Sequence, residues 1–414
     1  MNTTRWIVCC VVAASALGAA ATALAATPVT LAQAVEAAWQ RNHSAAGPQG
    51  LSLRAAASEH SAAGLLAAPP ALAVSTRTDR WNNDAGAREH EIGIALPLRL
   101  PGQRDARQAA ARAARAVAER SVAVERLRLA GQVRELAWGI AALQAEAAAI
   151  DAQRRTLRRL ADDVERRVKA GELARTDALA AQGDALGAQA AALEIEQRLQ
   201  AERVRWTALT GLAEVADLSG EANAENGVAA DTPPPPGIDA HPALQLAARV
   251  TAAARREADV ARGDRSDPPE LSLGYRRERT ERGRGYDASV VIGLRVPFGG
   301  EARNLPLQAS AQAALDNALA DEARLRLQLE GELALAREAV RSIAQQLDAL
   351  RARAGLLRER ARLIDTSFRA GQTALPDLLL VSGQTVQAEA ALARQQAALG
   401  AARARLHQAL GLLP

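Results

Sequence analysis

The sequence states one long pattern twice, about 200 residues apart. Each copy holds two alternating strands around a polar turn, then an arginine- and alanine-rich stretch far longer than a globular helix. The first copy reads ALAVSTRTDR from Ala71 and EIGIALPL from Glu91. The second reads ELSLGYRRER from Glu270 and YDASVVIGLRVPF from Tyr286. Each long stretch closes on an Ala-Gly turn with an Asp six residues after the glycine, at Gly171/Asp177 and Gly371/Asp377. Pro97/Pro297 and Gly211/Gly411 keep the same offset. A duplication of this size fixes the architecture, because each copy must be a structural unit that buries its apolar faces against the other.

The strands carry the second constraint. Leu72, Val74, Thr76 and Thr78 share one face. Ile92, Ile94, Leu96 and Leu98 do the same in the partner strand, and Leu271, Leu273 and Tyr275 in the third. In the fourth, Tyr286, Ala288, Val290, Ile292, Leu294, Val296 and Phe298 alternate with Asp287, Ser289, Gly293 and Arg295, Val291 being the exception. Period two gives one apolar and one polar face. The strand ranges expected are 71–80, 90–99, 270–279 and 286–297, each about ten residues, the length of a tilted membrane-spanning strand.

Four such strands cannot close a barrel, since the smallest membrane barrels have about eight. An open sheet edge in lipid leaves backbone groups unsatisfied, at several kcal/mol each. A chain with two membrane-length hairpins must therefore pool strands with copies of itself: two copies give eight strands, three give twelve. Aromatic residues for an interfacial girdle are scarce: Trp81, Tyr275, Tyr286 and Phe298.

No proline interrupts 103–232 or 307–375. Long helices are expected over 103–170 and 302–370, and return helices over 175–210 and 376–411. A helix over 103–170 would run roughly 100 Å at ~1.5 Å per residue. Aromatics are only 2% of the chain and alanine dominates, which suits close helix–helix contact rather than a thick core. Shorter helices are expected from Leu31, with Thr30 as N-cap, over 48–66, and over 242–262. Laid end to end, the helices at 175–210 and 242–262 would match the long one. The repeats are placed at 27–215 and 241–414. The Pro/Gly-rich connector between them, 216–240, is expected as a belt at mid-height.

Residues 1–26 read as a cleavable signal peptide: Arg5, an apolar core from Trp6 to Leu17, and the small-x-small site Ala23-Leu24-Ala25. Both cysteines, Cys9 and Cys10, fall inside it, so the mature chain has no disulfide or thiolate site. Cys9 comes too early in the apolar core for a lipoprotein. The 51 basic and 47 acidic residues are interspersed, with Lys169 the sole lysine. This is a solvated helix surface without a phosphate-binding stripe, so nucleic acid is excluded as a partner. No nucleophile, phosphate-loop or metalloprotease motif is present, and no catalytic, cofactor or metal residues are assigned. His43 and His241 read as surface or capping residues.

On these residues the chain resembles the TolC-like outer-membrane efflux factors. The resemblance rests on the entry LAQAVEAAWQRNH from Leu31, the strand exits LPLRLPGQR from Leu96 and VPFGGEARN from Val296, and the two Ala-Gly-x5-Asp turns, and it spans Thr30 to Leu412. It implies a mainly α chain with a small membrane β-barrel contribution, trimerising into a twelve-stranded barrel on a periplasmic α-helical tunnel. It also implies an outer-membrane exit duct without chemistry of its own, embedded in outer-membrane lipid. The implied partners are a periplasmic membrane-fusion adaptor and an inner-membrane pump of the resistance-nodulation-division type. The strand exits look closest to the heavy-metal branch, for cobalt–zinc–cadmium or copper. Drugs or secreted polypeptides are alternative cargoes, and a soluble periplasmic coiled-coil scaffold is the rival reading.

The resemblance also assigns the tips. Gly171 and Gly371 end helices in a left-handed conformation, and the turns through Asp177 and Asp377 would dock the adaptor. Asp377 matches an aspartate ring inside the tunnel mouth. Asp177 matches one partner of a gate pair, but Thr373 stands where the pairing Arg would be. Packing, Arg369 or Arg175 would then hold the gate.

Overall fold

The computed structural model describes residues 28–41, 46–219, 237–264 and 266–414. The segment expected as a signal peptide, His43 and most of the expected connector lie outside them. Helix α1 (Leu31–Arg41) starts in a reciprocal cap. Thr30 Oγ1 accepts from the Gln33 amide at 3.2 Å, and Gln33 Oε1 accepts from the Thr30 amide at 2.9 Å. Helix α2 (Ala46–Ala63) stops short of the expected 66. Gly64 follows it, and Pro69-Pro70 leads into the strands.

Strands β1 (Ala71–Thr78) and β2 (Arg88–Pro97) form the first hairpin, β3 (Glu270–Arg279) and β4 (Asp287–Arg295) the second. The four make one antiparallel sheet in the order β1-β2-β3-β4. The hairpins join through β2 and β3, with Gly93 opposite Gly274.

Helices α3 (Gln103–Lys169, 67 residues) and α6 (Glu301–Arg369, 69 residues) are the long elements. Each runs about 100 Å at ~1.5 Å per residue. Their return partners are α4 (Arg175–Thr210) and α7 (Leu375–Ala409), and α5 (Pro242–Gly263) precedes the second hairpin.

The stacking of the short helices differs from expectation. The end of α4 meets α1, where Arg41 Nε donates to the Ala208 carbonyl at 3.2 Å. The end of α7 meets the start of α5, where a Cβ on Gly411 would lie 2.6 Å from Pro242 Cδ. Helices α2 and α4 flank α3, and α5 and α7 flank α6; α5 and α7 also pack on α3, joining the repeats. The hairpins explain this arrangement. A two-stranded hairpin sends its flanking helices away from the sheet side by side, so α2 takes the sheet-side half of α3. The tip-side half is left to α4. The helix that continues α4 is thus the one before its own hairpin, not the next in sequence.

The main core gathers where α1, α3, α4 and the segment after α4 meet. Leu31, Val35, Leu129, Val133 and Ile140 close around Trp206, which is fully buried. The Trp206 indole donates to the Glu214 carbonyl at 3.0 Å. Buried Arg134 on α3 donates to Gln408 Oε1 (2.9 Å) and the Leu412 carbonyl (2.8 Å), tying the end of the second repeat to the first.

Candidate functional site

The two helical tips are built alike. Gly171 (φ 78°) and Gly371 (φ 74°) adopt the left-handed conformation. In α3, the Gly171 amide donates to Val168 and Glu172 to Arg167; in α6, Gly371 donates to Phe368 and Gln372 to Ser367. This paired closure satisfies the last carbonyls of each helix, and a side chain at the glycine would strain it.

The tips differ in their side chains. Half-buried Asp177 is the third residue of α4, and its Oδ2 accepts from the Ala174 amide at 3.3 Å. Asp377 is the third residue of α7, behind Pro376, and is exposed. Thr373 donates to Ser367 Oγ at 2.6 Å, so it braces its own turn. Arg369 pairs with Asp365 at 2.8 Å, one turn back. Arg175 is exposed and has no ion-pair partner among the described residues. Within one protomer, none of these three forms a hydrogen bond or ion pair with Asp177.

Sequence reasoning missed what unites the tips. Phe368 is buried with Val164, Ala161, Ala178, Leu375 and Leu378 in a satellite cluster. The Arg167 guanidinium lies 5.3 Å from the Phe368 ring centroid, a cation–π contact. The available signal was rarity: Phe368 is one of two phenylalanines in the chain, and the first copy has Val168 in its place.

The sheet is the second candidate surface. Its apolar side chains line up in cross-strand rows. One is Leu72–Ile94–Leu273–Ile292, the next Val74–Ile92–Tyr275–Val290. These rows face outward unprotected, with Val74 70% and Ile292 72% exposed. The opposite face is polar and thin. Arg276 pairs there with Glu89 (2.9 Å) and Glu91 (3.0 Å). A Cβ on Gly93 would sit 3.1 Å from the Leu273 carbonyl oxygen. Among the described residues, neither sheet edge, β1 or β4, has a further partner strand.

The helices also show unpartnered apolar rows. Leu179, Leu186 and Leu193 recur at heptad spacing on α4, and Leu356 and Leu363 on α6; all are at least 60% exposed. A repeat of seven is the seam of a helix that supercoils with a neighbour.

His241 does cap α5, its Nδ1 accepting from the Ala243 amide at 3.2 Å, but it is buried, not a surface residue. Burial pushes its pKa below the ordinary 6.5, against an opposing hydrogen bond to the Gln408 backbone. Among the described residues no cluster of His, Cys, Asp or Glu could hold a metal ion. No helix among them is long and apolar enough to cross a membrane.

Residues 50–212 match the family model described as outer membrane efflux protein. The curated relative CyaE of Bordetella pertussis is 32% identical over 296 residues, which span 63% of this chain and 60% of CyaE. Among solved structures, the outer membrane protein VceC of Vibrio cholerae superposes with a TM-score of 0.71 at 15% identity, covering 92% of this chain and 96% of VceC. CusC, whose structures concern transmembrane channel formation, superposes at 0.73 and 13% identity, covering 92% of each chain. The fold is therefore the mainly helical TolC-like fold, with its two β-hairpin repeats and long helices.

Proposed function

With residues 50–212 matching the outer membrane efflux protein family and the chain carrying the TolC-like fold, we propose that three copies assemble into an outer-membrane exit duct. The observation that carries this reading is the four-stranded sheet, apolar and exposed on one face, polar on the other, and open at both edges. Three copies supply twelve strands and close the edges, as lipid demands. The apolar rows then face lipid and the Arg276–Glu91 face lines the lumen. The exposed heptad rows of α4 and α6 seat neighbouring copies along a periplasmic helical tunnel.

The tip turns through Gly171–Asp177 and Gly371–Asp377 dock a periplasmic adaptor, which couples the duct to an inner-membrane pump of the resistance-nodulation-division type. Substrate passes through passively. The proposed cargo is heavy-metal cations, supported by the exposed Asp377 carboxylate at the tip. The gate is held by packing around Phe368, since Thr373 cannot form an ion pair with Asp177. Arg369 is committed to Asp365 in its own helix, which leaves Arg175 as the alternative latch.

Fractionation tests the duct. The chain should stay with outer membranes through a high-salt wash and migrate as a heat-sensitive trimer, whereas release by salt would favour the scaffold. Deleting the gene should sensitise cells to heavy-metal cations. Sensitisation to organic drugs alone would assign drugs as the cargo, and loss of a secreted polypeptide from the medium without sensitisation would assign polypeptides.

A further inference from the structure

The outward face of the sheet changes character at the end remote from the helices. Beyond the Val74–Ile92–Tyr275–Val290 row lies Thr76–His90–Arg277–Ala288, and beyond that Thr78, Arg88 and Arg279. Each step is two residues, about 6.6 Å along a strand. Cationic side chains therefore begin within about 7 Å of the last apolar row. On this face the strands present no carboxylate. Glu89, Glu91, Glu278 and Asp287 all have the opposite parity and point to the polar face.

Arg88 and Arg279 are also directly opposite each other in the ladder, an arrangement that destabilises a sheet unless a counter-charge is supplied. None comes from the described residues, among which Arg88, Arg277 and Arg279 form no ion pair. What they have is an aromatic floor. The guanidiniums of Arg277 and Arg279 lie 4.7 and 5.1 Å from the Tyr286 ring centroid. Arg279 Nε is held by the Gly86 carbonyl at 3.2 Å, which leaves its terminal nitrogens uncommitted.

We propose that Arg88, Arg277 and Arg279 form a binding site for the phosphate groups of lipid headgroups in the surrounding leaflet. The inference rests on the membrane reading above, in which the apolar rows meet acyl chains. The row where those chains end is the headgroup level, where an amphipathic ring such as Tyr286 belongs. Guanidinium forks match phosphate oxygens in pairs. A phosphate between Arg88 and Arg279 supplies the missing counter-charge. The site fixes the depth of the barrel at its outer rim, where this chain has few girdle aromatics.

The test uses the full-length trimer in detergent, titrated with diphosphorylated lipid A and read by native mass spectrometry. The R88Q/R277Q/R279Q variant should hold lipid A on the order of a hundredfold more weakly, from the attraction per basic residue at an anionic surface. A triple Lys variant, which keeps charge but not the fork, should retain part of the affinity. Equal affinity of wild type and the Gln variant would overturn the site. Flotation with phosphatidylcholine vesicles reads insertion alone and should be the same for both. If the wild-type chain itself fails to float, the membrane reading falls; flotation with unchanged lipid A affinity sinks only the headgroup site.

Discussion

At the scale of single residues, the helices of this chain are held by fit. Gly400 on α7 approaches Trp138 on α3 so closely that an added Cβ would lie 2.1 Å from the indole ring. Overpacking of this kind costs about 1–3 kcal/mol, so Gly400→Ala should lower the thermal midpoint measured by circular dichroism. Gly383→Ala, where nothing lies within 4 Å, should raise it, since Ala replaces Gly in a helix at a gain of roughly 0.5–1 kcal/mol. Equal effects at the two sites would remove the packing argument.

His241 makes stability depend on pH. Its neutral ring accepts from Ala243 and bonds the Gln408 backbone. Because its folded pKa is depressed, the unfolded chain binds the proton more readily, and stability is full above 6.5 and declines as pH falls below it. His241→Asn keeps an N-cap acceptor. Denaturant titrations at several pH values should show a shallower acid slope in that variant.

At the scale of elements, legibility followed chemistry. The strands could be read because alternation survives in sequence: Leu72 through Thr78 announces its own face. The helix ends could be read because only glycine accepts the left-handed turn at 171 and 371. The stacking of short helices could not, because alanine suits every helix face and leaves no mark of its neighbour. Nor could the burial of His241, which depends on the end of α7 arriving against α5. The tip cluster lies between these cases. Phe368→Ala should cost about 3–5 kcal/mol locally, opening 160–185 and 360–380 to hydrogen exchange while leaving the sheet protected. Uniform loss of protection would mean that the tips are not a separate unit. Gly371→Val should disturb the turn without loosening that cluster's far side, and adaptor cross-linking should fall.

At the scale of the molecule, the open sheet edges carry the proposal of three copies. Cys9 and Cys10 are the only cysteines, so in a C9S/C10S background introduced thiols report cleanly. Val74→Cys on β1 combined with Val290→Cys on β4 should, with a flexible bismaleimide, give a ladder that ends at three. A ladder ending at two, or continuing past three, would contradict twelve strands.

The central seam of the sheet bears on the order of events in folding. Gly93 and Gly274 meet across a long stretch of chain, whereas each hairpin and each tip closes over a short one. Short closures come first, because the entropy of ring closure is smaller and local contacts form faster. Helical hairpins should therefore appear early and the β2–β3 pairing late. Until that pairing forms, the apolar rows exist only as two narrow ribbons, one on each hairpin. The chain thus carries its own delay: it becomes greasy in one piece only when both halves have arrived.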